Sequence, residues 1–558
     1  MAAMDRERTF HPKTSELFSG YRWGTFGRDL RAGLVVAGFA LPACLAFGAA
    51  TGLGPAAGLA TSVIAGFVAA LLGGSRVQIT GPTAAFIVVV TGIVAAHGAT
   101  GLVVATLLAG VLLVVFGVLR LGPVLRFLPQ PILVGFTAGI AVTLVVSQVR
   151  DLFGLTGSLP VEIFERLAAL AGLVGQVNPW ALALGGATLA VVWMGERWLP
   201  RVPWGLVAIA AAAAAAAFGG LSVPTLGSAF GPLTVTIRPL DFSGLNYQLV
   251  LQLLPSAFTL AFLGAVESLL SASVADALIG DRHRPNTELI GQGLANAAAA
   301  VFGGLPGTGA LGRTNVNVRS GGTTPVAAMA HSAVLLVVWV ALGFLASWVP
   351  LASLAGLIIV VTLHMVDFHE LRQIFKATRS DATALATTFA VTVAVDLAFA
   401  VISGLLLAFF FFVRDMAQSS NTVSSNRALA SDLPPGTHVL DLNGAFFFGA
   451  AGKFDEAIRP LLSRAQTVIL RMDDVNLLDA TGTRVLHRLL VDAKANKVRV
   501  VMSEVQPAVL RVMDQADLIT ALGTANLFAS FEGALRNVRN SQPLVFSIRV
   551  EEGCVDPL

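Results

Sequence analysis

The feature that most constrains this chain is a succession of apolar runs that extends from residue 31 to residue 414. A helix needs about 20 consecutive apolar residues to cross a bilayer. Hydrophobic residues make up 55% of the sequence and charged residues only 12%, whereas a soluble domain carries about 25% charged residues. This composition excludes a single soluble core and predicts an α-helical polytopic membrane protein.

The apolar runs divide into fourteen predicted membrane segments, some of them short. They lie at 31–50, 54–73, 82–97, 101–119, 129–148, 179–195, 203–219, 253–275, 287–304, 312–322, 325–346, 349–366, 382–396 and 397–413. If residues 1–30 are cytoplasmic, the predicted inner loops hold Arg76, Arg120, Arg126, Arg197, Arg201, Arg282, Arg284, Arg319, Arg372, Lys376 and Arg379. The predicted outer loops hold only Arg150, Arg166 and Arg238.

Cytoplasmic enrichment of arginine and lysine is the usual signal of orientation. The even number of segments therefore predicts a multi-pass protein of the plasma (inner) membrane with both termini in the cytoplasm. The net charge is only +3, which we assign to these loops rather than to a nucleic-acid surface. Cys44 and Cys554 lie too far apart in the sequence to indicate a disulfide framework or a zinc site.

The composition changes after residue 414, where the transmembrane part is expected to end. The polar stretch 415–436 is predicted to be a linker. Strand-like runs at 437–448, 466–472 and 497–503 then alternate with helix-like stretches. This alternation predicts a small cytoplasmic α/β domain at 437–545, followed by a tail at 546–558.

Two segments differ from ordinary spanning helices because each begins with an extended, glycine-rich stretch. The first covers residues 73–83 and the second residues 302–314. Pro82 is predicted to be the first helical residue, since proline is favoured there, with Thr80 or Gly81 as the N-cap. The two segments are third in each set of seven, which fits two inverted seven-helix repeats because an odd number of crossings reverses the second half.

Helices that are broken inside a membrane direct their positive ends at anionic substrates in transporters. Arg313 stands at the start of the second such helix, where a charge is costly and indicates function. It is expected to attract an anion, or alternatively to pair with a carboxylate or with backbone carbonyls. Glu267 lies in an apolar segment and is predicted to carry a proton, or alternatively to form a permanent ion pair with Arg313.

Five motifs follow one another in the order and spacing of a known family. They are Leu41-Pro42 with Ala46-Phe47-Gly48, Thr80-Gly81-Pro82-Thr83-Ala84-Ala85, Glu267-Ser268-Leu269-Leu270, Asn286 with Glu288 to Asn296, and Gly312-Arg313-Thr314-Asn315-Val316-Asn317-Val318-Arg319-Ser320-Gly321. Together they resemble the SulP (sulfate permease) family of anion transporters, and the tail resembles a STAS domain. The resemblance implies two inverted seven-helix repeats, core and gate domains, a homodimer, and an anion held between the third and tenth helices.

Carried over by position, this resemblance also implies functional residues. Those expected to bind the anion are Phe47, Thr80, Gly81, Thr83, Gly309, Ala310, Leu311 and Arg313. Glu267 matches the acidic position of proton-coupled members, so a proton is favoured over sodium, and Ser271 could supply an oxygen ligand to a cation. Thr481 matches a regulatory phosphorylation site of STAS domains, but the favoured interpretation is that Asp479 or Thr481 is an ordinary helix N-cap.

The expected function is proton symport of sulfate-like inorganic anions. C4-dicarboxylates such as succinate or fumarate, and bicarbonate, remain alternatives. Ala43 and Gly312 stand where animal members often carry glutamine and serine, which leaves the substrate open. Two alternatives belong to other classes. A membrane-anchored STAS scaffold would have no use for two interrupted segments, and a nucleobase permease would need polar side chains at residues 309–312, where the sequence has none. We predict no enzyme activity, cofactor or metal, and an unknown cytoplasmic partner for the STAS domain.

Overall fold

The structure, a computed structural model, describes residues 10–18, 21–125, 129–157, 159–160, 162–233, 247–395, 397–419 and 433–541. Arg126, Arg238, most of the predicted linker and the predicted tail at 546–558 lie outside the described residues. The chain forms two compact units, Met1–Ala408 and Phe409–Leu558.

The first unit is helical. Its helices are α1 (Trp23–Ala50), α2 (Pro55–Leu72), α3 (Ala84–Val118), α4 (Gly122–Leu125), α5 (Gln130–Leu152), α6 (Ile163–Gly172), α7 (Pro179–Trp198), α8 (Trp204–Phe218), α9 (Leu226–Phe230), α10 (Tyr247–Ile279), α11 (Pro285–Val301), α12 (Leu311–Arg319), α13 (Pro325–Ala346), α14 (Leu351–Met365), α15 (Phe368–Lys376), α16 (Arg379–Ala394) and α17 (Leu397–Ser419). The boundary between the two units falls within α17.

Seven of the described helical stretches are long and apolar enough to cross a membrane. They are α1, α2, α3, α5, α10, α13 and the stretch Leu351–Lys376. Each of the fourteen predicted segments overlaps one of the helices above. The predicted segments 82–97 and 101–119 both fall in α3, which is interrupted at Gly98, where φ is 67° and the backbone is not helical. The first arm of α3, residues 84–97, is therefore a short helix of its own.

Small residues let the helices of this unit approach closely, as is usual in membranes. At the crossing of α3 and α11, a Cβ on Gly110 would lie 2.7 Å from the carbonyl oxygen of Gly293, and a Cβ on Gly293 would lie 2.5 Å from that of Gly110. No larger side chain fits between these backbones. This close packing holds α11 against α3, which begins at the site described below.

Two short strands interrupt the helices, β1 (Thr80–Gly81) before α3 and β2 (Thr308–Gly309) before α12. They pair antiparallel with each other. The glycine-rich stretches that the sequence marked as extended therefore meet as a two-stranded ladder between helices. This pairing satisfies part of the backbone polar groups that a broken helix leaves free, as burial requires.

A 3-10 turn at Lys13–Phe18 joins the N-terminal segment to two loops of the helical unit. Lys13, 5% exposed, pairs with Asp281 at 2.9 Å and with Glu16 at 3.2 Å. Glu16 also pairs with Arg76 and with Arg284. These contacts place the N-terminal segment, the loop before β1 and the loop between α10 and α11 on one face of the helical unit.

The pKa values of two carboxyl groups in this cluster, Glu16 and Asp281, are lowered. Burial would raise the pKa of Glu16, but the hydrogen bonds from Arg76 and Lys13 outweigh burial and lower it. Burial likewise acts to raise the pKa of Asp281, and the hydrogen bond from Lys13 again reverses the direction. The ionised cluster therefore stabilises the folded state.

The second unit is an α/β domain. Its strands are β3 (Thr437–Phe446), β4 (Thr467–Leu478), β5 (Arg499–Ser503) and β6 (Leu527–Phe528), and its helices are α18 (Phe448–Leu462), α19 (Ala480–Ala495), α20 (Pro507–Gln515), α21 (Leu518–Leu522) and α22 (Phe531–Asn540). The strands form one parallel sheet in the order β3-β4-β5-β6. The three predicted strands are present, and the two-residue β6 was not predicted.

Candidate functional site

The site is built on the crossing of β1 and β2. Thr80 lies opposite Gly309, and Gly81 lies opposite Thr308. The amide of Ala310 continues the ladder by donating to the carbonyl of Ile79 at 2.8 Å. Since α3 begins just after β1 and α12 begins just after β2, the ladder brings the N-termini of these two helices together.

The predicted start of the first helix was wrong by two residues. Thr83 is the N-cap, α3 begins at Ala84, and Pro82 precedes the cap instead of starting the helix. Thr80 and Gly81 do not cap α3 because their pairing with β2 keeps them extended. The second helix begins at Leu311 with Ala310 as its N-cap.

Neither helix start is capped by a side chain. The first amide groups of a helix have no acceptor within it, and each N-terminus carries about half a positive charge. At α12, Leu311 is 43% exposed, and a Cβ built on Gly312 would meet nothing within 4 Å. The start of α12 is therefore uncrowded, and its first amide groups are met by no side-chain acceptor among the described residues, which is the arrangement that binds anions.

Arg313 lies in the first turn of α12 and is 8% exposed. Its Nη1 donates to Ser62 Oγ at 3.1 Å, and its Nη2 donates to the carbonyl of Pro82 at 3.0 Å. A Cβ on Gly81 would collide with Nη1. The guanidinium is thus held from α2 and from the end of β1, which places a positive charge between the two helix starts.

Glu267 is partly buried on α10 and accepts a hydrogen bond from Thr83 Oγ1 at 3.1 Å. Within the described residues, its carboxylate forms no ion pair with Arg313. The alternative prediction, a permanent ion pair between Glu267 and Arg313, therefore does not describe this conformation. The coupling candidate instead contacts the N-cap of the first helix directly.

Ser271 lies one turn after Glu267 and is 1% exposed. Its hydroxyl donates to Thr314 Oγ1 at 3.3 Å, and the same Thr314 oxygen accepts from the amide of Ile79 at 3.0 Å. Ser271 therefore supports the back of β1 in this structure. The described residues contain no group of three histidine, cysteine, aspartate or glutamate side chains that could hold a metal ion.

The remaining predicted residues lie close to the crossing but in different roles. Phe47, 3% exposed, belongs to the same buried apolar cluster as Ala84 at the start of α3. Thr80 is 2% exposed, and its hydroxyl accepts from Gln292 Nε2 at 2.7 Å. Gly309 and Ala310 are buried, and both contribute backbone to the ladder. Thr80 is therefore part of the support of the site, with its side chain occupied inside the protein.

Two serines at the crossing were missed by sequence reasoning. Ser62 on α2 accepts from Arg313 and lies 2.9 Å from Cys44 Sγ. Ser268 on α10 accepts from the amide of Gly309 at 3.1 Å and lies 2.7 Å from Thr308 Oγ1. The available signal in the sequence was a serine within an apolar helix. Such serines are too common for the sequence to indicate which residue they contact.

Two uncapped helix starts brought together beside a buried arginine, within a helical membrane unit, are the arrangement of an anion transporter. Residues 26–388 match the model of the sulfate permease family, and residues 429–534 match the STAS domain. The chain belongs to the sulfate permease family, and its C-terminal unit is a STAS domain.

Three known proteins show how far this similarity extends. The putative sulfate transporter YvdB of Bacillus subtilis is 35% identical over 516 residues, which cover 92% of this chain and 97% of that protein. The bicarbonate transporter BicA of Picosynechococcus sp. is 34% identical over 418 residues, 72% of each chain. The solved structure of SLC26A9 matches with a TM-score of 0.86 and 17% identity over 97% of this chain and 94% of that one, a likeness of fold alone.

Proposed function

We propose that this chain is a proton-coupled symporter of sulfate-like inorganic anions. The observation that carries the proposal is the strand pairing that brings two uncapped helix N-termini together beside Arg313. Two dipole ends of about half a charge each, together with one guanidinium, provide about two positive charges. That total matches a dianion such as sulfate.

Coupling is assigned to Glu267 because it contacts the same helix start. When ionised, its carboxylate stands next to the space where the anion would bind and repels it. Protonation removes this repulsion, so the anion and the proton favour each other's binding. The hydrogen bond from Thr83, the N-cap of α3, links the carboxyl group to the anion-binding end.

Bicarbonate is the second candidate substrate. It is favoured by the similarity to BicA, whose name records that anion, and by the side chains at the start of α12. Ala310, Leu311 and Gly312 offer no side-chain hydrogen bonds, so a small anion satisfied by backbone amides would fit there. Sodium coupling with Ser271 as a cation ligand belongs to this second candidate.

Uptake into proteoliposomes tests both candidates. The purified protein is reconstituted, and radiolabelled sulfate uptake is measured with an inward proton gradient, with an inward sodium gradient, and with neither. Unlabelled bicarbonate, succinate, fumarate and nitrate serve as competitors. Sulfate uptake that responds to protons alone supports the proposal. Uptake driven by sodium and competed by bicarbonate selects the second candidate, and competition by succinate or fumarate selects a dicarboxylate transporter.

We further propose a homodimer in the inner membrane with both termini cytoplasmic. The orientation is supported by the basic loops Arg76 and Arg284, which the N-terminal segment contacts. In the STAS domain Asp479 caps α19 by accepting from the amide of Gly482 at 2.7 Å. Thr481 therefore does not serve as the cap, and its regulatory phosphorylation and the partner of the domain stay predictions.

A further inference from the structure

One face of α11 carries three buried polar side chains at successive helical turns. Glu288 is 2% exposed, Gln292 is 1% exposed and Asn296 is 3% exposed. Residues four apart lie above one another on a helix, so the three form a single polar stripe, the α11 stripe. Buried polar groups are costly unless they are hydrogen-bonded, so the partners of this stripe explain its presence.

The first member, Glu288, holds the approach to β1. Its Oε2 accepts from the amide of Gly74 at 2.8 Å and from the amide of Ser75 at 3.1 Å. A Cβ on Gly73 would lie 3.0 Å from the same oxygen. The carboxylate therefore fixes the turn that leads from α2 into β1.

The second member, Gln292, holds β1 itself. Its Nε2 donates to Thr80 Oγ1 at 2.7 Å and to Glu288 Oε1 at 2.9 Å. One amide group thus connects the strand to the carboxylate that fixes the preceding turn. The position of Thr80 along the chain is set relative to α11 by this bond.

The third member, Asn296, holds the approach to β2. Its Nδ2 donates to the carbonyl of Gly307 at 2.9 Å, and its Oδ1 accepts from the amide of the same residue at 2.7 Å. This two-point contact imitates the pairing of one more strand. From the opposite side, Thr61 Oγ1 donates to the carbonyl of Leu305 and accepts from its amide.

We propose that the α11 stripe is the positioning element of the anion site, because Gln292 anchors β1 and Asn296 anchors the approach to β2 on the same helix. The two helix starts that follow these strands then keep a spacing that suits one anion. These are positioning residues, since they act through the strands and not on the substrate. The inference rests on anion transport by this site and is independent of the coupling ion.

The test compares Gln292→Met, which keeps the side-chain volume and removes the donor, with Thr106→Val as the control. Thr106 is a fully buried α3 residue whose hydroxyl has no partner among the described residues. Sulfate uptake gives KM and the maximal rate, with bicarbonate as the probe if wild-type protein takes up no sulfate. We expect Gln292→Met to raise KM about fivefold, the factor that one buried hydrogen bond represents, and Thr106→Val to leave KM unchanged.

A double-mutant cycle separates positioning from general stability. Thr80→Val removes the same hydrogen bond from the other partner, so the KM effects of Thr80→Val and Gln292→Met should not add. This variant also serves if Gln292→Met does not fold. Additive effects on KM, or a lower unfolding temperature with an unchanged KM, would overturn the inference. If wild-type protein transports no anion of the panel, the proposed function fails instead.

Discussion

Thr83 occupies the N-cap of α3, yet its hydroxyl is directed at Glu267 Oε2, 3.1 Å away, and not at the helix amides. Threonine at an N-cap ordinarily accepts from an amide of the first turn, as Thr324 does at the start of α13. The side chain of Thr83 therefore accepts from no amide of α3, and in the first turn the amide of Phe86 bonds to the carbonyl of Thr83 instead. The interaction with Glu267 also makes the carboxyl group a direct neighbour of the helix end that we assign to the anion.

Replacing Glu267 by glutamine should separate binding from coupling. Glu267→Gln keeps a group that can accept from Thr83 but cannot gain or lose a proton. We expect sulfate to raise the unfolding temperature of the variant as it does in wild-type protein, while an inward proton gradient no longer stimulates uptake. Glu196→Gln, at a carboxylate that faces His364 instead, is the control. Stimulation of Glu267→Gln at the wild-type level would contradict the assignment.

Arg313→Ala should abolish most transport. The guanidinium makes two buried hydrogen bonds, and bonds to charged groups contribute about 1.5–3 kcal/mol each. We expect sulfate uptake at a fixed low concentration to fall about tenfold or more. Arg319→Ala removes an exposed arginine from the last turn of the same helix and should behave like wild type. Equal losses in both variants would show that loss of helix stability is the cause.

A methyl group at Gly81 should displace Arg313. A Cβ there would collide with Arg313 Nη1 and would lie 2.7 Å from Ser62 Oγ. Overpacking of this kind costs about 1–3 kcal/mol, and we expect Gly81→Ala to lower both the unfolding temperature and sulfate uptake. Gly92→Ala, where a Cβ meets nothing within 4 Å, is the matched control on α3. Wild-type uptake by Gly81→Ala would show that the guanidinium need not stay where it is.

The ion pairs that Lys13 and Glu16 form with Asp281, Arg76 and Arg284, here called the N-terminal cluster, should make the stability of the helical unit sensitive to acid. The pKa values of Glu16 and Asp281 are lowered from 4.5 and 3.8 in the folded protein. A lowered pKa means that the stabilisation is complete above these unfolded values and is lost as the pH falls through the folded values. We expect the unfolding temperature in detergent to drop below about pH 4.5.

Lys13→Met provides the variant for this pH experiment. It removes the cation that pairs with both carboxylates, so the variant should be less stable at neutral pH and should lose less on acidification. Lys376→Met, at an exposed lysine on α15, should follow the wild-type curve. Parallel curves for wild type and Lys13→Met would disprove the role of the cluster.

The broken helices were predictable because their signal is local. Pro82 and the dense glycines around Thr308 disfavour a continuous helix, so the sequence located both interruptions and the short helices after them. The exact helix start was not predictable in the same way. It depends on the pairing of Thr80 with Gly309, a contact between residues that are far apart in the sequence.

The surroundings of Arg313 illustrate the same limit. Its charge in an apolar region marked it as functional, but its two partners, Ser62 and Pro82, are 251 and 231 residues away in the sequence. Pro82 contributes only a carbonyl, which every residue has. No single-chain pattern distinguishes such partners, because the three-dimensional crossing of β1 and β2 selects them.

The donors at the starts of α3 and α12 belong to the main chain. Side-chain replacement leaves a peptide N–H in place at every position except where proline is introduced. Drift in the coding sequence can therefore hardly erase the attraction for negative charge. Relatives that transport different solutes would have to differ in the size and polarity of the side chains around these amides. Leu311 and Gly312 are therefore the positions at which inherited selectivity should be sought.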